Sequence, residues 1–150
     1  MGWRCPVTRP IAVSAMAACA LVFGGCAGGE VAPPGSTAGL GCVDDSPACI
    51  SQRQATLKTL VADPNRAWVK EPATPHAYAS GVRLFAFKTK KKDLSCDELK
   101  LGRKEADGAA PSLRSSGSGL TPAQIARGVM LAGEVGRELT NEYNRRCKKG

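Results

Sequence analysis

Residues 11–23 (IAVSAMAACALVF) form the feature that most restricts this chain. Twelve of these thirteen residues are apolar, Ser14 being the exception. A bilayer-spanning helix needs about 20 such residues, and no stretch of that length occurs. The run therefore excludes a polytopic membrane protein. It also removes apolar residues from whatever core the rest can build, because the remainder is basic and carries few aromatics. At 150 residues the chain holds one domain of ordinary size. It is too short for a multidomain enzyme.

The residues around the run give it a purpose. Arg4 and Arg9 precede it with no acid among them, and Gly24, Gly25, Cys26, Ala27, Gly28 and Gly29 follow. A basic start, a short apolar centre and small residues are the pattern of an export signal. The stretch Leu21-Val22-Phe23-Gly24-Gly25-Cys26 resembles the processing site of a bacterial lipoprotein precursor, with Phe23 where Leu is usual. The resemblance covers residues 1–26 only. It implies that residues 1–25 are a cleaved signal peptide and that the Cys26 thiol carries diacylglycerol, its new amine then being acylated, for example by palmitate. Two or three acyl chains anchor a protein stably where one does not. The resemblance further implies a protein of the cell envelope facing the periplasm. Ala27, in place of the Asp that retains such proteins at the inner membrane, favours the outer membrane.

On that reading Cys5 and Cys19 leave with the signal and Cys26 is spent on lipid. Four cysteines remain: Cys42, Cys49, Cys96 and Cys147. An even remainder in an oxidising compartment reads as two disulfides. Structural zinc wants closer pairs than Cys42-x6-Cys49, so no metal is expected. Four cysteines allow three pairings. Cys42–Cys49 with Cys96–Cys147 is preferred, the crossed pairings staying open. A helix ending near Arg146 and lying antiparallel to one starting near Cys96 would bring the two distant cysteines together.

Residues 27–41 (AGGEVAPPGSTAGLG) are rich in Gly, Pro and Ala and read, with Cys26, as a flexible tether over 26–41. Fifteen such residues reach roughly 20 Å root-mean-square. Residues 42–147 read as the folded domain. Four helical segments are expected there. The first spans Pro47–Ala62, capped by Ser46 with Pro at the first helical position and stopped by Asp63-Pro64-Asn65. Trp68, between Pro64 and Pro72, should cover one end of the core. A second helix starts at Thr74-Pro75 and ends in Lys88-Thr89-Lys90-Lys91-Lys92, with Tyr78, Val82 and Phe85 on its inner face and Leu84 and Phe87 widening it; Val82–Phe87 also fits the alternation of a strand, and helix is preferred. A third opens with the capping box Ser95-Cys96-Asp97-Glu98 and fades by Gly108, before a loop over 108–120. The fourth opens with Thr121-Pro122-Ala123-Gln124 and runs to about Arg146. Its Gly128, Ala132 and Gly136 would admit a close neighbour. The expected fold is all-α: a small disulfide-stapled bundle of three to four helices after a signal peptide and tether.

Catalytic constellations are not evident. The single histidine, His76, has no Ser or Cys motif beside it. Glu134, Glu138 and Glu142 share one helix face, but Arg137, Arg145 and Arg146 interleave with them, which reads as a salt-bridged surface. Asp44 and Asp45 suit the start of a helix. No enzyme activity and no cofactor are expected. The charge balance says more. Loss of Arg4 and Arg9 leaves nineteen Lys and Arg against all 13 acids. Lys88, Lys90, Lys91 and Lys92 are the densest cluster, expected at an exposed hairpin tip, and Arg103, Lys104, Arg145, Arg146, Lys148 and Lys149 add more cations. Such a patch suits an anionic envelope surface or an acidic protein. Nucleic acid is not expected, since no aromatic side chains are interleaved with the lysines. The expected role is non-catalytic binding or structure in the envelope. The alternative is an inhibitor or accessory subunit of an envelope enzyme.

Overall fold

The computed structural model describes residues 37–115 and 117–148. The expected signal peptide, Cys26 and the first part of the tether lie outside the described residues. Among the described residues all regular structure is helical: α1 (Ala38–Gly41), α2 (Pro47–Ala62), a 3-10 turn (Ala67–Lys70), α3 (Pro75–Ser80), α4 (Val82–Lys90), α5 (Cys96–Leu113) and α6 (Pro122–Cys147). None of these helices is long and apolar enough to cross a membrane.

The helix starts follow local chemistry. Ser46, Thr74, Ser95 and Thr121 each accept a hydrogen bond from the backbone N–H three residues on. Both capping boxes close, with Glu98 and Gln124 reaching back to the N–H of Ser95 and Thr121. The tether reading stops short of Gly41. Residues 38–41 form a turn of helix whose Gly39 is buried and donates its N–H to Thr56 Oγ1 at 3.1 Å. A Cβ on Gly39 would lie 2.5 Å from the Gln52 carbonyl oxygen, so only glycine lets this turn seat on α2.

The second expected helix is two. Gly81 adopts φ +76°, ending α3 and starting α4. That break turns α4 relative to α3, so the inner face expected from Tyr78 continues through Val82 but not to Phe85. Phe85 is exposed, while Leu84 and Phe87 are fully buried. The third helix is longer than expected. It continues past Gly108 and through Pro111 to Leu113, because Ala109 and Leu113 are both fully buried in the core. Burial outweighs the cost of a proline late in the helix.

The core is organised on the antiparallel pair α5 and α6. Leu99, Ala109 and Leu113 meet Val135 and Leu139, with Leu84 and Phe87 of α4 laid across them. Gly102 lets α4 approach α5 closely. A Cβ there would fall 2.7 Å from the Phe87 ring and 3.0 Å from Leu139 Cδ1. Gly128 plays the same part for Leu113, and Gly136 lies against Ala106. Trp68 is buried as expected, its indole N–H donating to the Leu60 carbonyl at 2.9 Å and its ring edge-to-face with Phe87.

One polar group lies deep in this core. Arg83 is only 2% exposed. Its guanidinium donates twice to Glu105, at 2.9 and 2.6 Å, and once to the Glu71 carbonyl at 2.8 Å. Every described buried side-chain polar atom has a hydrogen-bond partner. A satisfied bidentate pair of this kind fixes how α4 sits on α5, whereas removal of either member would strand a charge.

Two disulfides staple the bundle: Cys42–Cys49 and Cys96–Cys147. The first ties the loop after α1 to the start of α2. The second joins the first residue of α5 to the last of α6.

Candidate functional site

The Cys96–Cys147 end of the bundle gathers the basic residues. α4 runs parallel to α6, so the lysines at its C-terminus come level with the last turns of α6. Arg146 secures this junction through backbone oxygens. Its guanidinium donates to the carbonyls of Lys91, Lys92 and Leu94, at 3.3, 2.7 and 2.7 Å. Lys88–Lys92 and Arg145–Lys148 are thereby one surface, although about fifty residues separate them in sequence.

The lysines of the cluster are not equivalent. Lys88 bridges Glu134 and Glu138 on α6, at 2.5 and 3.1 Å. Lys91 also binds Glu138. Lys90 binds Asp93 at 2.7 Å. Lys92 is exposed and has no carboxylate within ion-pair distance among the described residues. Lys148 is placed likewise. The hairpin tip is therefore a latticework in which Lys88, Lys90 and Lys91 hold α4 and its following turn in place. Lys92 and Lys148 point their charge outward.

The glutamate stripe explains the lattice. Glu134 and Glu138 reach across to lysines of α4 and its following turn rather than to Arg137, which interleaves with them in sequence. Glu142, 6% exposed, is held by Arg145 and Arg146. The protonation states follow from these contacts. Hydrogen bonds that Lys88 donates to Glu134 and then Glu138 push its ammonium above its ordinary value. Lys91, ahead of Lys88, holds the Glu138 carboxyl below its own. Arg145 does the same for Glu142, and Lys90 for Asp93. Lys88, Glu138, Glu142 and Asp93 therefore stay charged at neutral pH.

Elsewhere the expected candidates are dispersed. His76 is half-buried at the second position of α3, with no hydrogen-bond partner among the described residues. Asp44 accepts from the Ser46 N–H at 2.8 Å. Asp45 pairs with Arg53 and Arg127. Both aspartates therefore fasten the Cys42–Cys49 loop, and Arg127 also reaches the Val43 carbonyl at 3.0 Å. No cluster of three His, Cys, Asp or Glu able to hold a metal occurs among the described residues.

The sequence reading located the lysine run but not its partners. The spacing of Glu134 and Glu138 by four was the available signal, since it matches the three-residue step from Lys88 to Lys91 on a parallel helix. The buried Arg83–Glu105 pair gave no such signal, as only the tertiary fold brings those residues together. Compared with protein-family models, with characterised proteins and with solved structures, this chain matches none.

Proposed function

We propose that this chain is an exported lipoprotein of the bacterial cell envelope. Acyl chains on Cys26 hold it at the membrane, the outer membrane being favoured, with the helical domain facing the periplasm. Its role is non-catalytic binding or structure, exercised through the basic end of the bundle toward an anionic envelope surface or an acidic protein. The observation that carries the binding reading is the junction made by Arg146. It merges two separate basic segments into one surface on which cations outnumber carboxylates. The commitment of Glu134, Glu138 and Glu142 to ion pairs supports a non-catalytic role, since each carboxylate is occupied by a neighbouring cation.

The test targets the cations that support nothing else. Lys92→Glu with Lys148→Glu leaves the ion-pair lattice intact and reverses the outward charge. In-cell crosslinking followed by affinity recovery should lose the partner in the double variant. Partner binding to the wild-type chain should also weaken steeply with salt. Unchanged recovery would remove the basic end from the account. A stoichiometric, salt-insensitive complex with one envelope enzyme would instead favour the accessory-subunit reading.

A further inference from the structure

Among the described residues four large apolar side chains are exposed, and three of them border neighbouring clefts. Ile50 of α2 is 38% exposed, Phe85 of α4 43% and Met130 of α6 75%. Shallow clefts join them. One between α2 and α4 is lined by Ile50, Leu57 and Phe85. The next, between α4 and α6, shares Phe85 and adds Leu131. The following clefts continue from Leu131 over Met130 and Val129 to Ile125. The result is a largely apolar band across α2, α4 and α6, interrupted by polar residues such as Gln54 and Ser80. Exposed apolar surface of this kind marks an interaction face.

The charges along the band select the occupant. Arg53, Arg114, Arg127 and Arg137 line these clefts together with Glu134, and Arg53 and Arg127 pair with Asp45. Glu134 is already neutralised by Lys88. Arg114 and Arg137 make no ion pair among the described residues. Apolar side chains fringed by arginine suit the boundary between acyl chains and anionic headgroups, where the aliphatic stems bury and the guanidinium stays with phosphate. The clefts are open and shallow, a shape fitted to a broad surface rather than to an enclosed small molecule.

The chain path places such a surface within reach. Thr37 enters beside α1, which packs on α2 next to Arg53. Cys26 precedes Thr37 by eleven residues, which span at most about 40 Å when fully extended. We infer that the band formed by Ile50, Phe85 and Met130 lies on the lipid bilayer, so that the domain rests against the membrane that anchors it instead of standing off it. This inference takes the membrane from the proposed lipidation of Cys26, while the contact itself belongs to the described residues.

Tryptophan reporters test it. On the proposed reading Trp3 leaves with the signal and Trp68 is buried, so a tryptophan placed in the band reports on its own surroundings. The full chain carrying Met130→Trp, purified in lipidated form, is reconstituted into vesicles of phosphatidylcholine and phosphatidylglycerol. Phe85→Trp, a conservative exchange, is the second reporter in case the first perturbs folding. Both should blue-shift on reconstitution and lose emission when the lipids are brominated along the acyl chains. Replacing phosphatidylglycerol by phosphatidylcholine should reduce both effects. Vesicle flotation separates two failures. Protein that floats with unquenched reporters overturns the bilayer contact and leaves the lipid anchor standing. Protein that does not float, with unquenched reporters, overturns both. Unquenched reporters that crosslink to a protein in cells would assign the band to a protein partner and overturn the inference as well.

Discussion

Single residues decide how closely the helices of this bundle approach. Gly102 and Gly133 both sit inside long helices, where glycine costs about 1 kcal/mol relative to alanine. Their surroundings differ. A Cβ at Gly102 would strike the fully buried Phe87 ring at 2.7 Å, whereas at Gly133 its nearest neighbour is a guanidinium nitrogen of Arg137 at 3.7 Å. Gly133→Ala should therefore stabilise the protein by up to about 1 kcal/mol through helix propensity alone. Gly102→Ala should destabilise it, since overpacking a closed core costs about 1–3 kcal/mol and the ring has nowhere to move. Urea unfolding of the two variants against wild type measures both signs. Destabilisation by Gly133→Ala would mean that its surroundings are tighter than described, and a neutral Gly102→Ala that Phe87 packs more loosely on α5 than described. Gly128, Ala132 and Gly136 were visible in the sequence as a small-residue row. Gly102 was not, because its need comes from Phe87 on another helix.

At the scale of the element, the starts of helices were legible and their ends were not. Ser46-Pro47, Thr74-Pro75, Ser95 with Glu98 and Thr121 with Gln124 each act through side chains three residues apart, so the sequence contains the whole interaction. The ends depend on burial. The α5 helix passes Gly108 and Pro111 because Leu113 docks in the core, and the break at Gly81 re-aims α4 so that Phe85 faces out. The start of α5 also carries a pH dependence. Burial alone would raise the Glu98 carboxyl, but the Arg66 guanidinium and the Ser95 N–H and hydroxyl outweigh it and hold it below its ordinary 4.5. A carboxyl lowered by folding contributes stability that is complete above its unfolded value and is lost as pH falls through its folded one. The melting temperature should thus decline as the pH drops below about 4.5. Glu98→Gln should be less stable at neutral pH and show a flatter acid limb. An equally steep limb in that variant would exclude Glu98 as a source of the acid sensitivity.

For the whole molecule, the described core is small and the covalent ties count heavily. Cys96–Cys147 closes a loop with a sequence separation of 51 and Cys42–Cys49 one of 7. Chain entropy alone then assigns about 4 kcal/mol to the first and about 2.5 kcal/mol to the second. Replacing Cys96 and Cys147 by serine should lower the unfolding free energy markedly more than the same exchange at Cys42 and Cys49. Equal losses would contradict a stabilisation set by loop length. This pairing was legible because two antiparallel helices of known rise fix where their ends meet. The basic end was legible as charge but not as a surface, since Arg146 binds carbonyls whose positions only the fold supplies. The central claim joins these disulfides to a lipid anchor, and the intact mass of the protein extracted from membranes without reduction tests both together. The account predicts a chain beginning at Cys26, heavier by its acyl groups and lighter by the hydrogens of two disulfides. A chain beginning elsewhere and carrying no lipid would contradict it.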